Sequence, residues 1–569
     1  MDTAGTAFLD ALVEHGVTHL FANLGSDHPA LLEALAAARA SGRPVPRLVT
    51  CPTEMVALSI AHGMAQVTGR AQAVLVHVDC GTQALAGAVH NASRGRVPVL
   101  IFAGLSPATQ EGELPGSRNE FIHWIQDVPD QRGIVRGYVR YEAEVRAGAN
   151  IRQLVRRALQ IAESAPAGPA YLTAAREVLE QQVRPAAADP AHWRPVEPRA
   201  LGGTAVAELA GALAGARNPL LVTSYVGRNP DAVAPLVSLC NRLGMGVLES
   251  VPSRMNFPHD DPLYLGSVWN QPVQDPSLAA ADLVLVVDSD VPWIPSVNRP
   301  APDARVIHID ADPLKAQMPL WHIGASRLYA ADAATALRQF DAALADLPLD
   351  PEAVARRRAA HGARHAARAA RLRERETGGT GLSVPALLAR LRAALPPDAI
   401  VLNEGITNYQ AVFDHLGPRP PGSVFASGGG SLGWNGGAAI GTKLAAPDRE
   451  VVVLTGDGSY IFSDPVSVHW IARRYGTPFL QIVLNNGGWT APRQSLLALH
   501  PAGFASRDPA LGTSFDPPPD YAAVAAAAGG ACAMRVDSVE AVDAVLAQAL
   551  HAVRAEGRCA VIDAVIGAA

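Results

Sequence analysis

Two nearly unbroken apolar runs late in the chain limit its fold more than any other feature: Glu450-Val-Val-Val-Leu-Thr455 and Phe479-Leu-Gln-Ile-Val-Leu484. Runs without polar alternation read as strands buried on both faces, the condition of a parallel sheet covered by helices. Each run ends in groups able to bind. Gly456-Asp-Gly458 follows the first and Asn485–Asn486 the second, with 26 residues between them. Open α/β sheets bind ligands beyond the carboxyl ends of their strands. Asp457 offers a carboxylate, Asn486 an amide oxygen, and the glycines let backbone approach a phosphate closely. Such oxygen donors suit Mg²⁺, which keeps few protein ligands and shares its shell with phosphates. The pair reads as a clamp for a metal and a diphosphate.

The rest of the chain repeats the alternation of strand and helix. Residues 1–180 show an amphipathic stretch at 5–15, the run Thr18–Phe21, a strand at Arg47–Thr50, a helix at 53–67, and strands at Ala73–His77 and Val97–Ala103. A Pro-rich polar stretch at 181–200 reads as a linker. A second block places strands at Leu220–Thr223, Leu283–Val287 and Arg305–Ile309. The Arg- and Ala-rich run 351–376, closed by Gly378-Gly379, reads as a solvated helix bridging two domains. A third block runs from 383 to the end. The class is α/β, with three doubly wound parallel sheets. At 569 residues, about three to four domains is the prior.

Charge and cysteine content narrow the partners. A net charge of −6 gives no general reason to expect nucleic acid or an anionic membrane. The Arg-rich run has charge on all sides and no interleaved aromatics, so it does not read as a nucleic-acid patch. Five scattered cysteines, odd in number and without metal-ligand spacing, favour a reduced, cytoplasmic setting. No apolar stretch reaches the length of a spanning helix, and the first residues do not form a signal peptide. A soluble chain is expected.

Two further turns bear on the clamp. Ser427-Gly-Gly-Gly-Ser-Leu-Gly-Trp-Asn-Gly-Gly437 lies before a helix at Ala438–Leu444 and contains a formal G-x-G-x-x-G at Gly428, Gly430 and Gly433. A dinucleotide site, and with it a nicotinamide oxidoreductase, is the rival reading. Asn403-Glu-Gly-Ile-Thr-Asn408 closes the strand Ala399–Leu402, and Glu404, Gly405, Thr407 and Asn408 there can hold the far end of a diphosphate.

Gly456-Asp-Gly-Ser-Tyr460 with Asn485-Asn486 resembles the thiamin-diphosphate signature of the acetolactate synthase, pyruvate decarboxylase and benzoylformate decarboxylase superfamily. The likeness covers nearly the whole chain. It implies a pyrimidine-binding domain at 1–180, a central α/β domain at 201–345 and a diphosphate- and Mg²⁺-binding domain at 383–569. By that likeness Asp457, the Asn486 side chain and the Gly488 carbonyl ligate Mg²⁺, while Gly456, Gly458, Ser459 and Trp489 adjoin the cofactor. Leu432 stands where the family places the side chain that bends the cofactor, and the Gly430 carbonyl accepts from its aminopyrimidine. Glu54, in Cys51-Pro-Thr-Glu54, matches the glutamate that drives the pyrimidine towards its imino tautomer and so leads to the C2 ylide. A glutamate in a first helical turn has a plainer role as a capping or dipole-stabilising residue.

The substrate side carries a narrower resemblance. Phe21-Ala-Asn-Leu-Gly-Ser26 is similar to the turn from which benzoylformate decarboxylases bind the substrate carboxylate through serine. His77 follows Glu54 by 23 residues, the spacing those enzymes show for a catalytic histidine. Gln83 and His28 are lesser candidates, and His123 is expected to line the pocket. The chain also departs from its relatives. The second histidine of benzoylformate decarboxylases has no counterpart near Asp290–Pro295, and the paired histidines of pyruvate decarboxylases are absent. The FAD-binding segments of acetolactate synthases have no match, so FAD is not expected. Their tryptophan after the Asn pair is replaced by Ser495.

The expectation is an enzyme that decarboxylates a 2-oxo acid with thiamin diphosphate and Mg²⁺. The resulting enamine is protonated to release an aldehyde, or is ligated to an aldehyde or keto-acid acceptor. The resemblance further implies a homodimer or homotetramer in which Glu54 and Asp457 of different subunits face one site. A non-catalytic cofactor-binding homologue is a further alternative.

Overall fold

A computed structural model describes residues 2–184, 190–270, 272–378, 381–418, 420–508 and 511–566. A short antiparallel pair joins β1 (Asp2–Thr3) to a strand at Gln182–Val183, introduced below as β8. The first large sheet holds β2 (His19–Ala22), β3 (Arg47–Thr50), β4 (Gln72–Val76), β5 (Val99–Leu105), β6 (Tyr141–Val145) and β7 (Ala170–Ala175). Its order is β3-β2-β4-β5-β7-β6, and all its pairs are parallel. The strand β8 (Gln182–Val183) follows. The second sheet holds β9 (Pro219–Thr223), β10 (Gly246–Ser250), β11 (Tyr264–Val268), β12 (Leu283–Val287), β13 (Arg305–Asp310) and β14 (Arg327–Ala330). Its order is β11-β10-β9-β12-β13-β14, again parallel. The third holds β15 (Ile400–Glu404), β16 (Val424–Phe425), β17 (Val451–Gly456), β18 (Leu480–Asn485), β19 (Cys532–Val536) and β20 (Ala560–Val565), in the order β16-β15-β17-β18-β20-β19.

The α/β class with three parallel sheets is therefore the observed architecture. The central strands are almost wholly apolar because helices cover both faces; every residue of β4, β9 and β12 is buried, Gln72 and Thr223 at their ends included. By its internal contacts the chain forms two compact units. One comprises 1–196, 427–535 and 548–563; the other comprises 197–426, 536–547 and 564–569.

Within the first unit, the helix Glu54–Thr68 lies against the helix Asn435–Ala445 at very short range. A Cβ on Gly63 would overlap the Ala438 carbonyl, and one on Gly441 the Ile60 carbonyl. The second helix was expected to begin at Ala438. It begins three residues earlier, because Gly436 and Gly437 sit in the helix with no room for a side chain against Val468 and Ser59.

Two further expectations need correction. The stretch from 181 opens as strand β8, since pairing with β1 satisfies its backbone; residues 185–189 lie outside the described residues. The helix Pro351–Thr377 is not simply solvated. Arg357 donates to the Leu243 and Ala216 carbonyls, Arg364 to Ser277 Oγ at 3.0 Å, and Arg368 pairs with Asp414 over the Tyr264 ring. Gly378 follows its last turn, and Gly379 lies outside the described residues. Among the described residues, no helix is long and apolar enough to cross a membrane.

Candidate active site

Three adjacent strands of the first sheet deliver the N-terminal half of the site. Glu54 opens the helix after β3, the turn 23–28 follows β2, and His77 follows β4. Glu54 is buried and accepts from the Asn23 side chain. Burial holds its carboxyl above the usual range, against the opposing pull of its own backbone N–H, Asn23 and His77.

His77 has partners on both ring nitrogens. Nδ1 is 2.5 Å from Asp27 Oδ1, and Nε2 is 3.1 Å from Gln126 Oε1. Two acceptors facing one ring favour the imidazolium, which donates from both nitrogens. The hydrogen bond to Asp27 accordingly raises the His77 pKa, and it outweighs the desolvation that lowers it.

Asp27 is 2% exposed. Its second oxygen accepts from the Val78 N–H at 3.1 Å and lies 3.2 Å from His28 Nε2. Burial pushes this carboxyl up, but His28, His77 and the Val78 N–H together hold it below its ordinary value. His28 takes the Gly25 N–H on Nδ1 at 3.0 Å, and burial lowers its pKa. The cluster fits only because its neighbours lack side chains. A Cβ on Gly25 would overlap the His77 ring, and one on Gly104 the Asp27 carboxylate; on Gly81 it would stand 2.8 Å from Glu54 Oε1.

Ser26 and His123 meet as well, with Oγ 3.4 Å from Nε2. His123 lies on the short helix Ile122–Ile125 and also approaches Arg176, which stands just beyond β7. Gln83 is not drawn in. It sits on the exposed face of the helix Val78–Ala84, with its amide on Asp79 at 3.3 Å.

The C-terminal half lies at the ends of the neighbouring strands β17 and β18. Asp457 opens the helix Asp457–Phe462; its two oxygens accept from the Gly458 N–H at 2.8 Å and the Gly488 N–H at 2.9 Å. Burial raises its carboxyl despite those donors. Among the described residues, Asn486 Oδ1 is buried with no hydrogen-bond partner, and so is Ser459 Oγ. An orphaned amide oxygen beside a carboxylate is a site that a hard cation satisfies. Trp489 lies on Gly458, where a Cβ would overlap its ring, and its ring meets Phe515 edge-on at 4.9 Å.

The turn that carries Leu432 is held from the N-terminal part of the same unit. The Gly430 N–H donates to His90 Nε2 at 3.1 Å, and Asn91 exchanges hydrogen bonds with the Ser431 backbone at 2.9 and 3.0 Å. A Cβ on Gly428 would stand 2.5 Å from Gly95 Cα, and one on Gly433 2.7 Å from the Phe462 carbonyl. These glycines are thus used in close packing rather than left open as a dinucleotide turn. Leu432 itself is half-buried. In the second unit, Glu404 is buried at the end of β15; Gly405, Thr407 and Asn408 form the turn after it, where the Gly405 N–H donates to Asn403 Oδ1 at 3.1 Å.

Comparison with known proteins decides the family. Models of thiamine pyrophosphate enzymes match in chain order: the N-terminal TPP-binding domain at 2–134, the central domain at 206–340 and the C-terminal TPP-binding domain at 405–564. The chain belongs to the thiamin-diphosphate enzymes. It is 28% identical over 506 residues to a benzoylformate decarboxylase of Pseudomonas aeruginosa, covering 87% of this chain and 88% of that one. It is 24% identical to an acetolactate synthase large subunit of Parasynechococcus marenigrum, covering 93% and 82%. The solved 4-hydroxybenzoylformate decarboxylase of Rhodococcus jostii superposes with a TM-score of 0.78 at 25% identity, covering 99% of each chain. A thiamin-diphosphate enzyme of the decarboxylase and acetolactate synthase family is thus the shown class, and it replaces the nicotinamide reading.

Asp27, Gln126, Arg176, His90 and Asn91 were missed in the sequence. Asp27 had a local signal, an acid next to Ser26; the others lie far along the chain from the residues they contact.

Proposed function

We propose that this enzyme decarboxylates a 2-oxo acid with thiamin diphosphate and Mg²⁺ and releases the aldehyde. The observation that carries the reading is the Asp27–His77 pair beside Glu54. An imidazolium held by a buried carboxylate is a proton donor at neutral pH, and protonation is the step that ends in an aldehyde. Ligation to a second carbonyl is the alternative outcome, supported by the likeness to acetolactate synthases.

When bound, thiamin diphosphate supplies the nucleophilic carbon and the electron sink. The oxygen set of Asp457, Asn486 and the Gly488 carbonyl suits Mg²⁺, and the orphaned Asn486 Oδ1 supports it. Gly456, Gly458 and Ser459 would flank the diphosphate, with Gly430, Leu432 and Trp489 along the rings. Glu54 keeps a proton for the pyrimidine, aided by the burial that raises its pKa. Ser26 binds the reacting carboxylate through a neutral hydroxyl. The domain limits 1–180, 201–345 and 383–569, and a dimer in which Glu54 faces the partner's clamp, belong to the same proposal.

The test is incubation of the purified enzyme, with cofactor and Mg²⁺, with a panel of 2-oxo acids with and without an acceptor aldehyde. Aldehyde and CO₂ in equal amounts support decarboxylation. A 2-hydroxyketone as the sole product replaces it by ligation.

A further inference from the structure

We propose that the substrate is a 2-oxo acid with a second anionic group, held by Arg176 and His123 next to Ser26; this rests on the decarboxylase reading above. Arg176 opens the helix Arg176–Glu180 at the carboxyl end of β7. Its Nη1 lies 3.0 Å from Asn119 Oδ1 and 3.2 Å from His123 Nε2. No carboxylate among the described residues pairs with it. Glu177 beside it accepts from Thr109 at 2.7 and 2.9 Å, and the nearby cation Arg118 is taken by Asp127.

The protonation of His123 follows from its own contacts. Nδ1 accepts the Asn119 N–H at 3.3 Å, so the ring proton is on Nε2. That N–H faces the guanidinium at 3.2 Å and the Ser26 hydroxyl at 3.4 Å. The Ser26 oxygen can accept from it, but against the guanidinium donor faces donor, in a residue only 3% exposed. Burial and the adjoining Arg176 both keep this imidazole from charging. An anion between the two would satisfy both donors, while the Ser26 hydroxyl stays with the reacting carboxylate.

The charge history of the reaction selects which anion. The reacting carboxylate loses its charge as CO₂ departs, so a guanidinium gripping it would hold the ground state more tightly than the transition state. A group that keeps its charge throughout suffers no such penalty. The planar fork of arginine suits a carboxylate, sulfonate or phosphonate. The tail must be short: Ser26 lies between Gly25, which touches the His77 ring, and Asp27, which binds it.

The holoenzyme is assayed with 2-oxopentanedioate, its 5-methyl ester, and 2-oxo acids ending in sulfonate or phosphonate. The expected kcat/KM ratio of diacid to ester is about 100-fold, the size of a lost buried charge partner. In Arg176→Gln that ratio falls to within about threefold of one, mainly through KM, and Arg176→Lys restores part of it. A ratio near one in the parent, or one unmoved in Arg176→Gln, overturns the proposal. Calorimetric titration with pentanedioate, which cannot react, is the independent readout. Binding at least about tenfold weaker in Arg176→Gln supports the subsite, and no binding to the parent refutes it. Arg176-dependent binding without turnover of any 2-oxo acid would leave the subsite standing and remove the decarboxylase reading. Turnover of neutral 2-oxo acids at a ratio near one would do the reverse.

Discussion

Asp27→Asn removes one charge from the buried ion pair while keeping its shape. Asp27 Oδ1 is 2.5 Å from His77 Nδ1, and Oδ2 accepts the Val78 N–H at 3.1 Å. In the variant the amide oxygen can still serve Val78. Its NH₂ then faces His77, whose Nδ1 must turn acceptor, so the ring is neutral. A hydrogen bond to a buried charged group contributes about 1.5–3 kcal/mol net, and about 2 kcal/mol is expected here. The compact unit holding the pair has about 320 residues. At about 2.1 cal/mol/K per residue of unfolding entropy, the melting temperature falls by about 3 °C. The pH dependence gives the sharper check. Asp27 titrates below its ordinary 3.8, so its contribution is present above that value and is lost as pH falls through the folded pKa. His77 titrates above its ordinary 6.5, chiefly because of Asp27, so its contribution is full below 6.5 and is lost as pH rises through the folded pKa. The parent's advantage should therefore be greatest between pH 3.8 and 6.5 and shrink above it. Calorimetry of both proteins from about pH 5 to about pH 9 measures this. A constant difference across that range, or none, refutes the ion pair.

Glu54→Gln should slow exchange of the C2 proton of bound thiamin diphosphate by at least about 100-fold, followed by NMR; exchange at the parent rate would remove Glu54 from that role. Asp457→Ala takes away the only charged oxygen of the proposed metal set, so cofactor retention during gel filtration should no longer respond to Mg²⁺. Aldehyde formation should decline as pH rises through a value above 6.5, following His77, and His77→Ala should flatten that limb. Gly441→Ala drives a methyl into the Ile60 carbonyl and should destabilise the helix pair by about 1–3 kcal/mol or more. An unchanged melting temperature would show that the helices part without strain.

Much of the fold was legible because buried parallel strands leave a local mark. The runs ending at Thr455 and Leu484 reappear as β17 and β18 within a residue at each end, and Arg47–Thr50 is β3 as read. Gln182–Val183 was not legible as a strand, because its partner Asp2–Thr3 lies at the other end of the domain. The Arg-rich run shows the same limit. Its helical extent follows from local propensity, while the carbonyls that take Arg357 belong to other elements.

The sequence by itself determined the three parallel sheets, the diphosphate signature and the strand-end positions of Glu54, Asp457 and Asn486, since each depends on residues close together along the chain. Only the tertiary structure decided which side chains act together. Asp27 reaches His77 across 50 residues, and Arg176 reaches His123 across 53. Adjacent strands β2 and β4 bring the first pair within hydrogen-bonding distance, and glycines at 25 and 104 leave room for it. A buried charge finds its partner through that packing, and no local pattern in the chain records it.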